Sequence, residues 1–167
     1  MHCRIFQVSK EQNADSIFQV SKEQNADSIS ESRYEDYFIP SIADYVVKVA
    51  DVEDDYKWLS EHAKGIKIET KDGVTTLTIV SKEEYFEKSF NEFQELIKKF
   101  NEYTLKEFID AKNWLDFFNF KRCYDNRYGF YVDDNDEYFG TVTFDEFMRN
   151  VNNGDVYYLS STFDYHF

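Results

Sequence analysis

Hydrophobic and polar positions follow two periods along this chain, and the switches between them mark out its elements. Over residues 38–65, Ile42, Tyr45, Val49, Val52, Tyr56, Leu59 and Ala63 recur at alternating spacings of three and four, which predicts an amphipathic helix that stops at Gly65. Its first half, "YVVKV", also fits a strand because of its β-branched residues. The period then changes to two in "IKIETKDGVTTLTIV", where Asp72-Gly73 suits a two-residue hairpin turn at positive φ. Counting outward from that turn pairs Ile68 with Leu77 and Ile66 with Ile79, so the apolar residues share one face.

A second helical pattern follows. Ser81 and Glu84 stand at capping-box spacing, and Phe86, Phe90, Phe93, Ile97 and Phe100 then form a stripe that reads as core. A further box, Thr104 and Glu107, opens a helix through "LKEFIDAKNWLDFF", with Leu105, Phe108, Leu115 and Phe118 on its apolar face. The last third reads as strand, turn, strand, helix, strand: "RYGFYV", an acidic tip "DDND", "EYFGTVT", "FDEFMRNVNN" and "DVYYLSSTF".

Ile5 to Ser16, "IFQVSKEQNADS", recurs unchanged as Ile17 to Ser28. A twelve-residue period turns a helix by about 120° per copy, so the two apolar clusters cannot share one helical stripe, and two copies do not make a solenoid. The repeat predicts a flexible or artefactual N-terminal arm over residues 1–33, followed by a single domain over 34–167 with a possible sub-boundary near 120.

Charge changes the functional picture most. The chain of 167 residues carries 33 Asp and Glu against 19 Lys and Arg, a net charge of −14. That sign opposes direct binding to nucleic acid or anionic membranes and favours a basic partner. Aromatics are 19% of residues, with 17 Phe and 13 Tyr, enough to leave Tyr for interfaces. Cys3 and Cys123 lie far apart and form no C-x-x-C pair, which argues against a disulfide framework and a zinc site. With no apolar run of signal or membrane-spanning length, a cytoplasmic protein is expected.

Residues 131–148, "YVDDNDEYFGTVTFDEFM", resemble half of an EF-hand loop. Setting Glu146 at position 12 puts Gly140 at 6 and Val142 at 8, but also Asn135 at 1 and Phe139 at 5, where oxygen ligands belong. The preceding aromatic, β-branched "RYGFYV" reads as a strand where the motif needs a helix. Thr143 and Glu146 form a third capping box, which accounts for Glu146 without a metal.

Other chemistry lacks a pattern. The five glycines are scattered, so no phosphate-cradling loop exists, and the three histidines stand in no metal-ligand spacing. His62 suits the C-terminus of a helix. Cys123 in "KRCYDNR" has basic neighbours that would lower its pKa, but a lone Cys is more often a packed residue. Among 33 carboxylates a close pair is expected by number alone.

These patterns predict an α+β fold, with small antiparallel hairpins or a sheet packed with amphipathic helices around an aromatic-rich core. The expected function is that of an acidic, non-enzymatic inhibitor, without cofactor or metal, that occupies the basic nucleic-acid-binding cleft of a partner such as a CRISPR or restriction nuclease. Carboxylates at i and i+4 on a helix lie about 5–6 Å apart, close to phosphate spacing. The candidate contacts are Asp44, Asp51, Asp54 and Asp55, and on the hairpin tip Asp133, Asp134, Asp136 and Glu137 flanked by Tyr131 and Tyr138. In charge and size the chain is similar to phage-encoded anti-CRISPR and anti-restriction proteins, without a shared motif. Two alternatives stand beside this: an immunity or antitoxin protein capping a basic toxin, and a calcium-binding module using the 133–146 loop.

Overall fold

The computed structural model describes residues 2–10, 45–49, 51–111, 113–134 and 141–166. In chain order these hold β1 (His2–Ser9), β2 (Tyr45–Lys48), α1 (Glu53–His62), β3 (Ile66–Lys71), β4 (Val74–Ile79), α2 (Lys82–Asn101), α3 (Leu105–Ile109), α4 (Trp114–Tyr124), β5 (Tyr131–Asp134), β6 (Thr141–Thr143), α5 (Phe144–Asn150) and β7 (Val156–His166). One mixed sheet of order β3-β4-β7-β1-β5-β6 runs through the described residues, with β2 also pairing β7. The β1–β5 pair is parallel and the other pairs are antiparallel. The class is α+β, as expected, with an aromatic core.

The N-terminal segment departs most from expectation. Residues 2–9, assigned above to an arm, form the strand between β7 and β5, and Ile5, Phe6 and Val8 have no exposed surface. Consecutive strand residues point to opposite faces, so burial of both Ile5 and Phe6 means that neither face is open to solvent there. A strand buried on both faces usually reads as a continuous apolar run, but Arg4 and Gln7 interrupt the run here, so the sequence carries little sign of that burial. The Phe6 ring lies 5.4 Å from Phe130 and 6.4 Å from Phe144, edge-on to both.

The helix expected from the Ile42-to-Ala63 spacing begins only at Glu53. Residues 45–48 are β2, with Val46 opposite Tyr165 and Lys48 opposite Phe163. Here strand pairing with β7 overrides the three-four spacing. The β3–β4 hairpin has the expected register, Ile68 opposite Leu77 and Ile66 opposite Ile79, and its turn residues have φ of 51° at Asp72 and 78° at Gly73. Gly65, between the end of α1 and β3, has φ 73°, and an added Cβ there would stand 2.0 Å from the Ser81 carbonyl oxygen. That oxygen belongs to the N-cap of α2, whose Ser81 hydroxyl accepts from the Glu84 amide at 3.1 Å.

The long second helical segment is two helices. Ala111 at φ 48° separates α3 from α4, and the Thr104–Glu107 capping box is complete at the start of α3. Phe93 and Phe100 of α2 stack on Phe120 and Phe117 of α4 at 4.7 and 4.8 Å. The expected stripe is only partly core: Phe90 is exposed, while Tyr85 and Ser89 are the buried residues of α2. Among the described residues, no helix is long and apolar enough to cross a membrane.

Candidate partner-binding surfaces

Among the described residues, the acids proposed as contacts do not all lie on the surface. Asp51 and Asp54 are exposed beside α1 and on it, but Lys57 stands between Glu53 and Glu61 at i+4 and i−4 and breaks the acidic run. Asp55 is half-buried and accepts from Arg4 Nε at 2.8 Å, while Arg4 Nη1 donates to Asp164 at 2.6 Å, so Asp55 helps to fasten β1. Asp133 is a correction: it lies inside β5 at 2% exposure, not on a tip, and accepts from Gln7 Nε2 at 3.2 Å. Its burial follows from its place opposite Gln7 of β1 and Thr141 of β6, and it leaves the set of surface acids. Tyr131 is half-buried in β5 and accepts from Asn126 Nδ2 at 3.3 Å. Asp134 ends β5, and Asp44, Asp136, Glu137 and Tyr138 lie outside the described residues. The described residues hold 23 acids and 16 Lys and Arg, a net of −7, half of the −14 of the chain.

Among the described residues, α3 and α4 expose many of the large apolar side chains that the spacing placed on one helix face. Leu105 (76% exposed), Phe108 and Ile109 stand at i, i+3 and i+4 of α3, and Trp114 (67%), Leu115 and Phe118 at i, i+1 and i+4 of α4. Each triad therefore occupies one face of its helix. The opposite side of α4 is anchored through Phe120 and the Phe117 stack, which fixes the outward side chains. Arg122 sits over the Phe118 ring at 5.8 Å. Periodicity identifies an amphipathic helix but cannot tell what covers its apolar positions, and none of the described residues buries these side chains.

Between α1, α2 and α4 lies an open cleft of about 720 Å³. Trp58 and His62 stack at 4.1 Å along one wall, and the His62 carbonyl accepts from the Tyr128 hydroxyl at 2.9 Å. On the other wall Arg127 grips Glu92 through both guanidinium nitrogens at 2.8 Å, which holds the Glu92 carboxyl below its ordinary range. Cys123 donates to Glu92 at 3.6 Å, and burial, with Glu92 adding to it, raises its thiol pKa. The lowering expected from the basic neighbours of Cys123 is thereby overturned, because Arg127 is already committed to Glu92. Beneath the cleft, buried Asp145 accepts from the Tyr85 hydroxyl at 2.7 Å and from the Arg127 amide at 2.6 Å. Desolvation raises the Asp145 pKa despite both bonds. This node ties α2, the 126–130 turn and α5 together, and the sequence offered no signal for it beyond an aspartate at the start of a helix.

For the half-matched calcium loop, the entering element is β5, where an EF-hand needs a helix. Glu146 lies in the first turn of α5, and its amide donates to the Thr143 hydroxyl at 3.1 Å. Asn135, Glu137, Phe139 and Gly140 lie outside the described residues, among which no cluster of three His, Cys, Asp or Glu could hold a metal. No family model matches the chain, and neither a curated protein nor a solved structure matches it.

Proposed function

We propose that this is a binding protein that inhibits a basic partner, docking through the apolar face of α3 and α4 while its negative charge steers the encounter. One observation carries this reading: Leu105, Phe108, Ile109, Trp114, Leu115 and Phe118 are all exposed within fourteen residues of chain. An apolar surface of that kind on a strongly charged protein marks an interaction site, and Trp and Phe are common interface anchors. A net charge of −14 selects a basic occupant and speeds association with it.

The finer proposal is that the partner is a nucleic-acid-binding enzyme in the cytoplasm, such as a CRISPR or restriction nuclease, whose basic cleft the protein fills. A competition assay tests this: the protein is titrated against labelled duplex DNA or guide RNA bound to a panel of such nucleases. Displacement that weakens from ~0.15 to ~0.5 M salt is expected. A cognate toxin as the only binder would make it an antitoxin, and self-association through the same face would leave no basic partner.

A further inference from the structure

Three helices each turn one face into the open cleft between α1, α2 and α4. Trp58 and His62 come from α1, Lys88 and Asn91 from α2, and Asn119 and Arg122 from α4, three or four residues apart on each helix so that each pair shares a face. The Phe93–Phe120 and Phe100–Phe117 stacks pin α2 against α4 in antiparallel order and fix the spacing of their two faces.

The charge of the cleft runs against that of the molecule. Both carboxylates that line it are occupied, Glu92 by the two Arg127 nitrogens at 2.8 Å and Glu95 by Lys98 Nζ at 2.8 Å. Its cations are not neutralised in this way. Among the described residues, Lys88 forms no hydrogen bond or ion pair, and Arg122 donates to a neutral acceptor, the Arg127 carbonyl, at 2.5 Å. Exposed Asn91 and half-buried Asn119 bond to no described residue either, so two carboxamides keep a donor and an acceptor each for a ligand. A lone surface lysine is simply hydrated, whereas two cations and two carboxamides converging beside an aromatic wall have the composition of a ligand site.

That wall is held rigid. His62 Nδ1 lies 2.9 Å from the Trp58 carbonyl, which can only accept, so Nδ1 carries hydrogen and the imidazole is locked against the indole at 4.1 Å and 8°. Tyr128 and Phe130 stand edge-on to the same indole at 6.1 and 5.1 Å. Trp58 nevertheless stays 40% exposed, open to a further ring.

We propose that the cleft binds a nucleoside monophosphate, with the base against the Trp58–His62 wall, its polar edge or the ribose hydroxyls on Asn91 and Asn119, and the phosphate on Lys88 and Arg122. Each part of such a ligand meets the chemistry that recognises it: a ring on aromatics, a donor and acceptor edge on carboxamides, a phosphate on charge-assisted donors. A single phosphate suits this molecule where a polynucleotide does not, because the net charge of −14 repels an extended polyanion along its length, while one phosphate is held by the cations beside it. The site shares no residue with the apolar face of α3 and α4 and does not rest on the function proposed for that face.

Trp58 and Trp114 are the two tryptophans of the chain, so Trp58 is the only one left in full-length Trp114→Phe protein. Its fluorescence is followed while AMP, GMP, CMP and UMP are titrated in turn at ~0.15 M salt. Saturable quenching by at least one of them is expected, with a Kd below about 1 mM. The matching nucleoside, which lacks the phosphate, should bind about tenfold more weakly, and so should the nucleotide to Lys88→Gln or Arg122→Gln protein of unchanged circular dichroism. The nucleoside comparison needs no further substitution, so it decides the phosphate contact even if R122Q, which also loses the bond to the Arg127 carbonyl, fails to fold. The proposal is overturned if none of the four nucleotides quenches saturably, if the nucleoside binds as tightly as its nucleotide, or if folded K88Q binds like the parent.

Discussion

Arg127 brings two carboxylates together in opposite electrostatic states. Glu92, gripped by the guanidinium, keeps its charge more readily than a free glutamate, whereas Asp145, buried beneath it, gives its charge up more readily. The Glu92 pair therefore contributes stability that is present above the ordinary glutamate pKa of 4.5 and lost as pH falls below it. Asp145 acts with the other sign: the folded state takes up its proton first, so its contribution grows as pH falls toward the ordinary 3.8. In urea unfolding between about pH 3 and 7, E92Q is expected to lose stability less steeply on acidification than the parent, and D145N more steeply. Equal slopes for all three would refute this assignment. Removing the Tyr85 hydroxyl leaves one Asp145 oxygen without its donor in a buried site, and Y85F should cost about 2 kcal/mol of unfolding free energy.

Two glycines separate conformational strain from steric exclusion at the scale of elements. Both have positive φ, 73° at Gly65 and 78° at Gly73, but a Cβ at Gly73 meets nothing within 4 Å, whereas one at Gly65 meets backbone at 2.0 Å. Gly73→Ala should cost about 1 kcal/mol, the left-handed penalty alone. Gly65→Ala forces apart the junction of α1 and α2, since the Gly65 carbonyl also accepts from the Val80 and Ser81 amides at 2.9 Å. It should prevent cooperative unfolding from being seen at all, and a Gly65→Ala melt like that of Gly73→Ala would contradict the geometry. The β3–β4 register was legible because strict alternation and an Asp-Gly turn specify the same pairing. The position of β1 was not, because a run of four apolar and polar residues inside a repeat carries no sign of what will pair with it. The break between α3 and α4 was also hidden, since Ala111 is an unremarkable helix former that the tertiary fold places at φ 48°.

At the scale of the whole molecule, acidity was legible and its arrangement was not. Composition alone gave the net charge of −14. It could not show that Asp55 is tied to Arg4, that Asp133 is buried, or that Lys57 divides the α1 acids. The apolar candidate surface is legible as the face of Leu105, Phe108, Leu115 and Phe118, but its exposure is not, because spacing reports a helix face and not its neighbour. Exposed charges act mainly on encounter, so D51N/D54N should slow association with the partner a few-fold and leave dissociation nearly unchanged, as stopped-flow mixing would show. Buried aromatic anchors act on dissociation. The most direct measurement of the account is the nucleic-acid displacement assay run with the parent and with W114S/F118S, at ~0.15 and ~0.5 M salt. The account predicts salt-sensitive displacement by the parent and at least a tenfold loss in the variant, with the circular dichroism spectrum unchanged. Equal displacement by both proteins, or none by the parent from any nuclease tested, would contradict it.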